Sequence, residues 1–540
     1  MKYGFVIDNR KCIGCHACTT ACKSEHEVPV GVNRTWVKQV EKGEFPNSRR
    51  LFSVMRCNHC TDAPCVEICP TEALFVREDG IVDFDKDRCI GCKSCMQACP
   101  YDALYIDPET HTAAKCNYCA HRIDVGLEPA CVNVCPEHAI ISGDMENPDT
   151  EIAQLLARQA VKTRKPEKAT EPNLFYIDAD DASLIPSATE PTNTSLWGSQ
   201  SFGVGHFAKE AEKMAFTNTD LIAQVVAMNG GYETKEGKVQ SPKTVKVLME
   251  SKAKQVYNTP DKGILWGWEV SAYVWTKAIA AGMLLIPIIG LLASTSSIAT
   301  SLWSTGAIIA LIFLSLTGVL LVMDLDQPKR FAYVLLRPHW GSWLVKGGYA
   351  ITIYGGLLAL IIAAPFLNLS GVLPTTYIIA GLVAIIVATY TAFLFAQAKG
   401  RDFWQSPTMA IHMLVHSLMA GIGVYFILAL INGASAEWLN YLRIAGIITI
   451  ALNLGTILIE LTTTHPTQDA KTVVQMILHG RYKNLFWIGS ILFGNILPLA
   501  ILLLGNTNPL MGSIAGVMVL IGIYFINHIW VEAPQRIALS

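Results

Sequence analysis

The chain has 540 residues, 51% hydrophobic and 16% charged, with a formal net charge of −2. Soluble domains carry about a quarter charged residues, so a purely soluble protein is excluded, as are a disordered chain and a small disulfide scaffold. The balanced charge leaves no footprint for nucleic acid and no acidic tail. The mean hydropathy of +0.35 is unevenly spread. Polarity is ordinary up to about residue 262, and apolar runs of twenty or more residues follow. The chain reads as a soluble half joined to a membrane half.

All sixteen cysteines fall in the soluble half, in four groups of four. Cys12, Cys15, Cys18 and Cys22 are spaced C-x2-C-x2-C-x3-C. Cys57, Cys60, Cys65 and Cys69 widen the middle gap to four and precede Pro70. Cys89, Cys92, Cys95 and Cys99 repeat the first spacing before Pro100, while Cys116, Cys119, Cys131 and Cys135 have a long middle gap before Pro136. Three thiolates on one tight turn and a fourth one helical turn later suit a cubane [4Fe–4S] cluster, the fourth thiolate reaching the neighbouring cluster. Gly14 and Gly91 relieve crowding inside two of these loops. Four such groups imply four [4Fe–4S] clusters in two ferredoxin-like pairs, an internal repeat.

Three other readings compete. Disulfides would need an oxidising compartment and would not produce four copies of one spacing. Structural zinc favours C-x2-C pairs separated by longer loops. The stretch from Cys12 to His16 matches the c-type haem motif C-x-x-C-H, but haem would leave Cys18 and Cys22 unexplained.

The quartets, in this order, resemble the iron–sulfur electron-transfer subunit of molybdopterin oxidoreductases such as dimethyl sulfoxide, polysulfide and thiosulfate reductases, over residues 1 to about 185. The resemblance implies that Cys12, Cys15 and Cys18 share a cluster with Cys135, and that Cys22 joins Cys116, Cys119 and Cys131. It likewise implies that Cys57, Cys60 and Cys65 take Cys99, and that Cys89, Cys92 and Cys95 take Cys69. Some relatives replace one cysteine of the third quartet by tryptophan. Cys89 is kept here, so no cluster is expected to be missing.

Residues 1–145 are therefore expected to form an α+β ferredoxin-like domain of tandem repeats, and 146–262 a linker with extended patches. The linker holds a Lys/Glu/Pro run over 162–172, a short strand expected at Phe175-Tyr176-Ile177, and a helix expected over 220–230. Residues 263–540 are expected to form an all-α bundle. Eight apolar segments are long enough to cross a core of about 30 Å, at 269–293, 302–323, 345–366, 375–397, 408–431, 439–461, 485–505 and 511–531. Trp266, Trp268, Trp340, Trp343, Trp404, Trp438 and Trp530 fall near their ends and read mostly as headgroup-level belt residues.

With eight spans, both termini and the loops after spans two, four and six share one side. Those loops hold Lys329, Arg330, Arg337, Lys399, Arg401, Lys471, Arg481 and Lys483, and Lys252, Lys254 and Lys262 precede the first span. The positive-inside rule puts this side, with the cluster domain, in the cytoplasm. The first ten residues, which form no signal peptide and carry no twin-arginine motif, agree. The expected location is the cytoplasmic (inner) membrane.

Residues 324–331 (DLDQPKRF), 273–282 (YVWTKAIAAG) and 390–392 (YTA) resemble motifs of the NrfD/polysulfide-reductase membrane-subunit family, over about 265–535. The resemblance implies a membrane subunit that binds a quinone near the iron–sulfur subunit and lacks haem. The chain looks like the two subunits fused.

Ionisable residues within spans are functional candidates by default. Tyr273, Lys277, Asp324, Tyr390, His412 and His416 all lie on the cluster-facing half of the bundle, with Glu460 and His528 closing their helices on that side. Tyr, His and Lys can donate to quinone carbonyls and relay protons. Each has a plainer reading. Lys277 could snorkel or pair with Asp324 or Glu269, and Asp324 with Pro328 could simply shape a loop. His412 and His416 could be interfacial residues bonded to carbonyls, or ligands of a b-type haem lacking partners opposite. Asn453 and Asn495 read as interhelical hydrogen bonds or a proton path.

The chain contains no nucleotide fingerprint, nucleophile motif or spare cysteine for molybdenum. The expected function is an electron conduit between a separate catalytic subunit, implied by resemblance to carry molybdopterin, and the membrane pool of menaquinone or ubiquinone. A cytoplasmic site favours quinone reduction of the sulfite dehydrogenase type. Polysulfide or thiosulfate reduction by quinol, a proton-translocating quinone complex and a passive membrane anchor are the alternatives.

Overall fold

The computed structural model describes residues 1–43, 48–190, 253–292, 300–463, 465–505 and 507–540. The helix expected over 220–230 and Lys252 lie outside the described residues.

Among the described residues, the N-terminal half is built on two four-stranded sheets and two small hairpins. In the first sheet, strand Tyr3–Asp8 runs between Ile140–Asp144, antiparallel, and Leu174–Ile177, parallel. Side chains alternate along a strand. Phe5 and Ile7 therefore face Cys18, Trp36 and Cys131, while Val6 meets Ile141, Ile152 and Ile177 on the other face. The hairpins Leu74–Val76/Val82–Phe84 and Leu104–Ile106/Ala113–Lys115 stand beside the second and third quartets.

The stretch read as a linker from 146 onward carries part of this domain. Helix Glu151–Arg158, capped by the Thr150 side chain, buries Ile152 under the first sheet. Strand Leu174–Ile177 contains the expected Phe175-Tyr176-Ile177. The charged 162–172 run is a contact surface as well as a loop. Arg164 is buried and donates to the carbonyls of Leu184, Tyr101 and Leu539, while Lys165 and Lys168 pair with Asp469 and Asp402 of the membrane half. Strand Thr189–Glu190 pairs directly with Ala253–Tyr257, which also pairs with Thr35–Lys42. Both strands belong to the second sheet, and the connection from its last strand to the membrane half is only about ten residues long, from Asn258 to the first span.

Among the described residues, eight helices are long and apolar enough to cross a membrane. They are Trp268–Leu292, Thr300–Met323, Trp343–Ala363, Leu373–Gln397, Met409–Asn432, Ala436–Thr462, Leu485–Leu504 and Pro509–Glu532. The first is the most enclosed, because small residues let its neighbours approach closely. A Cβ on Gly282 would stand 2.7 Å from the Gly421 nitrogen of the fifth span and overlap the Ser417 carbonyl. Gly282→Leu is therefore expected to destabilise the bundle by about 3 kcal/mol, read as a lower melting temperature in detergent. An unchanged melting temperature would show that these helices separate freely. The seventh span is π-helical over Leu485–Ile496 and α-helical from Leu497, and the Asn495 amide donates to the Ser490 carbonyl.

The loops after spans two, four and six all touch the cluster domain. Arg330 donates to the Lys86 and Cys89 carbonyls, Arg401 donates to Gln97, and Asp469 pairs with Lys165. Burial corrects the belt reading for three tryptophans. Trp266, Trp404 and Trp530 are buried, and Trp266 stacks on Trp404 at 5.5 Å. Trp266 reaches the cluster domain through the Cys92 carbonyl, while Trp530 packs on Phe403, His412 and Phe486. Trp438 is also interior, against Tyr425 and Tyr441, whereas Trp268 and Trp340 remain exposed.

Candidate functional site

The first and third quartets share one local construction. Gly14 and Gly91 take φ near +70°, and His16 and Lys93 are also left-handed, immediately before helices Ala17–Glu25 and Ser94–Ala98. Each helix then carries its next cysteines inward: Cys18 and Cys22 in one, Cys95 in the other.

The thiols gather into four sets. Cys12, Cys15, Cys18 and Cys135 line one void, and Cys69, Cys89, Cys92 and Cys95 another. The Cys22 thiol faces Cys116, Cys119 and Cys131, and the Cys65 thiol faces Cys57, Cys60 and Cys99. Burial, with neighbouring thiols adding to it, pushes Cys119 up to about 12, and burial pushes Cys57 up to about 11. Bare thiolates are thus disfavoured at neutral pH, and a cationic iron core is what would stabilise them. Among the described residues no three Cys, His, Asp or Glu side chains converge as they would on a single metal ion. Four sulfurs spaced round a void fit a cubane better than a lone ion. The sets also follow one another. Cys18 neighbours Cys131, Cys57 neighbours Cys116, and Cys95 neighbours Cys65.

The last set sits on the membrane half. Within the turn 324–331, the Asp326 and Gln327 amides donate to the Gly91 and Ile90 carbonyls, and Lys93 pairs with Asp326 at 3.2 Å. A Cβ on Gly91 would stand 2.7 Å from the Asp326 Cβ, so glycine is needed there for this approach as well as for its φ. His339 Nδ1 donates to the Cys69 carbonyl at 2.8 Å, Ser342 Oγ to that of Ile68, and Trp266 Nε1 to that of Cys92 at 3.1 Å. Gln97, Arg401 and Gln535 form a buried knot beside it. Nothing in the spacing of Gln97 or Gln535 marks either residue in the sequence.

An apolar pocket opens against this set. Cys92, Trp266, Tyr273, Asp324, Phe331 and Tyr390 are among its walls. Three of the six expected membrane residues, Tyr273, Asp324 and Tyr390, therefore share one cavity beside a cysteine loop. Burial, reinforced by Glu269 and Asp326 and opposed by Lys93, pushes the Asp324 carboxyl up to about 7. Lys277 stands behind this wall. Its Nζ lies 4.5 Å from the Tyr390 ring and donates to Thr391 Oγ1, so it pairs with neither Asp324 nor Glu269.

His412 and His416 lie elsewhere, with spans six to eight. Glu460 accepts from His412 Nδ1 at 2.7 Å, from Trp530 Nε1 at 3.0 Å and from Thr408 at 3.0 Å. His416 stacks edge-on at 4.2 Å from His412 and contacts Asn527 at 3.2 Å, and Asn453 bonds Asn495 at 2.8 Å. His416 Nε2, Asn453 Oδ1, Asn527 Nδ2 and Ser490 Oγ are buried without a protein partner. Sequence depth alone merged two sites that helix packing separates.

A tandem ferredoxin-like domain seated on an eight-helix bundle, with a cysteine loop and an apolar pocket at the junction, defines a membrane-bound iron–sulfur protein. Residues 11–74 and 49–145 each match a 4Fe-4S dicluster domain, and residues 257–538 match the family described as polysulphide reductase, NrfD. The chain belongs to the NrfD family, with an iron–sulfur subunit and an NrfD-type membrane subunit fused in one polypeptide. Its N-terminal third is 47% identical to a tetrathionate reductase subunit from Salmonella typhimurium over 190 residues, 34% of this chain and 76% of that one. It is 44% identical to a polysulfide reductase chain from Wolinella succinogenes over 181 residues, 33% and 94% of the two chains. To the arsenate respiratory reductase iron-sulfur subunit of a Shewanella species it is 33% identical over 225 residues, 33% and 96% of the two chains.

Proposed function

We propose that this chain is the electron-transfer and quinone-reacting subunit of an oxidoreductase complex in the cytoplasmic membrane. Its four thiol sets would hold four [4Fe–4S] clusters, which supply one-electron transfer when bound. The observation that carries the reading is the apolar pocket shared by Cys92, Tyr273, Asp324 and Tyr390. Apolar walls suit a quinone ring, the two phenols can hydrogen-bond its carbonyls, and Asp324 can exchange protons near neutral pH. The substrate site belongs to a separate chain, by resemblance a molybdopterin subunit. Loop charge supports a cytoplasmic cluster domain and quinone reduction driven by an internal substrate such as sulfite. Quinol-driven polysulfide or thiosulfate reduction is the reverse case.

Gentle affinity purification of the chain from native membranes tests this. Near-stoichiometric molybdenum, one large co-purifying chain and about sixteen irons per copy are expected, four for each of four cubanes. Haem proteins in place of molybdenum would overturn the partner assignment, and a markedly lower iron content the cluster assignment.

The polar file from Thr408 through Glu460, His412 and His416 to Asn453 and Asn495 favours a second reading, in which quinone turnover moves protons. Its four unpartnered atoms suit ordered water. Turnover in liposomes would then generate a transmembrane pH difference that His416→Phe removes. No pH difference with the unaltered protein would sink it.

A further inference from the structure

The geometry points to Arg56 as a fixed positive charge that raises the reduction potentials of two adjacent clusters, those of the Cys12/Cys15/Cys18/Cys135 and Cys22/Cys116/Cys119/Cys131 sets. The inference rests on the cluster assignment proposed above.

Arg56 ends the strand Arg49–Arg56, and its side chain is wholly buried. The guanidinium carbon lies 4.5 Å from the Phe5 ring centroid, and Nη1 donates to Cys131 Sγ at 3.0 Å. Its charged neighbours are thiols of both sets: Cys131 and Cys116 of one, Cys18 of the other. Nε and Nη2 have no hydrogen-bond partner, and among the described residues no carboxylate forms an ion pair with it. A buried guanidinium without a counter-anion is strongly unfavourable. Four thiolates round a cubane carry net negative charge, so the two sets are the anions this cation lacks.

The next junction differs. Lys115 is also buried, between Cys116 and Cys57, but its Nζ donates to the carbonyls of Val82 and Cys116. Arg56, by contrast, has two guanidinium nitrogens without a partner beside the thiols of both sets. Cluster potentials depend on net charge and on hydrogen bonds to sulfur. Reduction adds one electron and makes a cluster more negative, so a nearby cation stabilises the reduced form and raises the potential. A purely structural Arg56, holding Phe5 in place, would leave the potentials unmoved.

The test is an EPR-monitored redox titration of the purified full-length protein, after iron analysis shows that all clusters are present. Arg56→Gln, which keeps a donor and loses the charge, should shift two of the four midpoint potentials downward. The two clusters nearer the membrane serve as internal references and should stay. Arg56→Lys, which keeps the charge, should move them less. Unshifted midpoints in the Gln variant, or equal shifts in all four clusters, would overturn the assignment. If Arg56→Gln fails to assemble, Arg56→Met, which removes the charge without leaving buried donors, decides in its place: the same two midpoints should fall, and unshifted midpoints would overturn the assignment. A deficit of clusters in the unaltered protein would instead sink the cluster assignment itself.

Discussion

Tyr390→Phe is expected to lower quinone-dependent turnover by about 100-fold, the scale of one positioned proton donor. Iron content and electron exchange with soluble dyes should be unchanged. The substitution removes one oxygen from a ring packed against Gly347 and Lys277, so the wall of the pocket stays in place. Full quinone activity in this variant would favour a passive anchor over a quinone site. Asp324 supplies the matching pH test. Its carboxyl, pushed up to about 7, is a proton donor below that pH and a carboxylate above it. If the complex reduces quinone, which takes up two protons, turnover should fall as pH rises through about 7. If it oxidises quinol, turnover should instead rise through the same range. Asp324→Asn should flatten either profile, so one pH series reads the direction of flow and the role of the residue together.

Glu460→Leu is expected to destabilise the folded protein by about 3–5 kcal/mol, because each buried donor left without its acceptor costs about 1–3 kcal/mol. Glu460 accepts from His412, Trp530 and Thr408, and all three donors would lose that acceptor inside the bundle. Replacing both partners, as in Glu460→Met with His412→Leu, should recover most of the loss. Thermal denaturation in detergent measures both. Because this pair lies apart from the pocket of Tyr273 and Tyr390, quinone reduction at low temperature should survive in the double variant. Loss of quinone turnover there would place the histidines back in the quinone site.

Much was legible from residue order. Cysteine spacing records a local turn repeated along the chain, and span length records the thickness of a bilayer, so both survive without tertiary knowledge. The dicluster repeats and the eight spans needed nothing more, and the fusion of two subunits followed from the resemblance of each half to a known family. Depth within a span was equally legible, which is why Tyr273, Lys277, Asp324, Tyr390, His412 and His416 could be singled out on one half of the bundle.

Which face of a helix meets which neighbour was not legible, because spans that are apolar all round carry almost no directional pattern. Tertiary packing alone put Tyr273, Asp324 and Tyr390 round one cavity, turned Lys277 onto Thr391, and gave His412 and His416 to Glu460 and Asn527. The same holds for the soluble half. A charged run such as 162–172 reads as solvated until a facing surface supplies Asp402 and Asp469, and an arginine at the end of a strand reads as exposed until two thiol sets close over it. Local spacing fixes what a turn or a span can be; the partner of a buried charge is set by chain segments hundreds of residues away, and only the folded molecule brings them together.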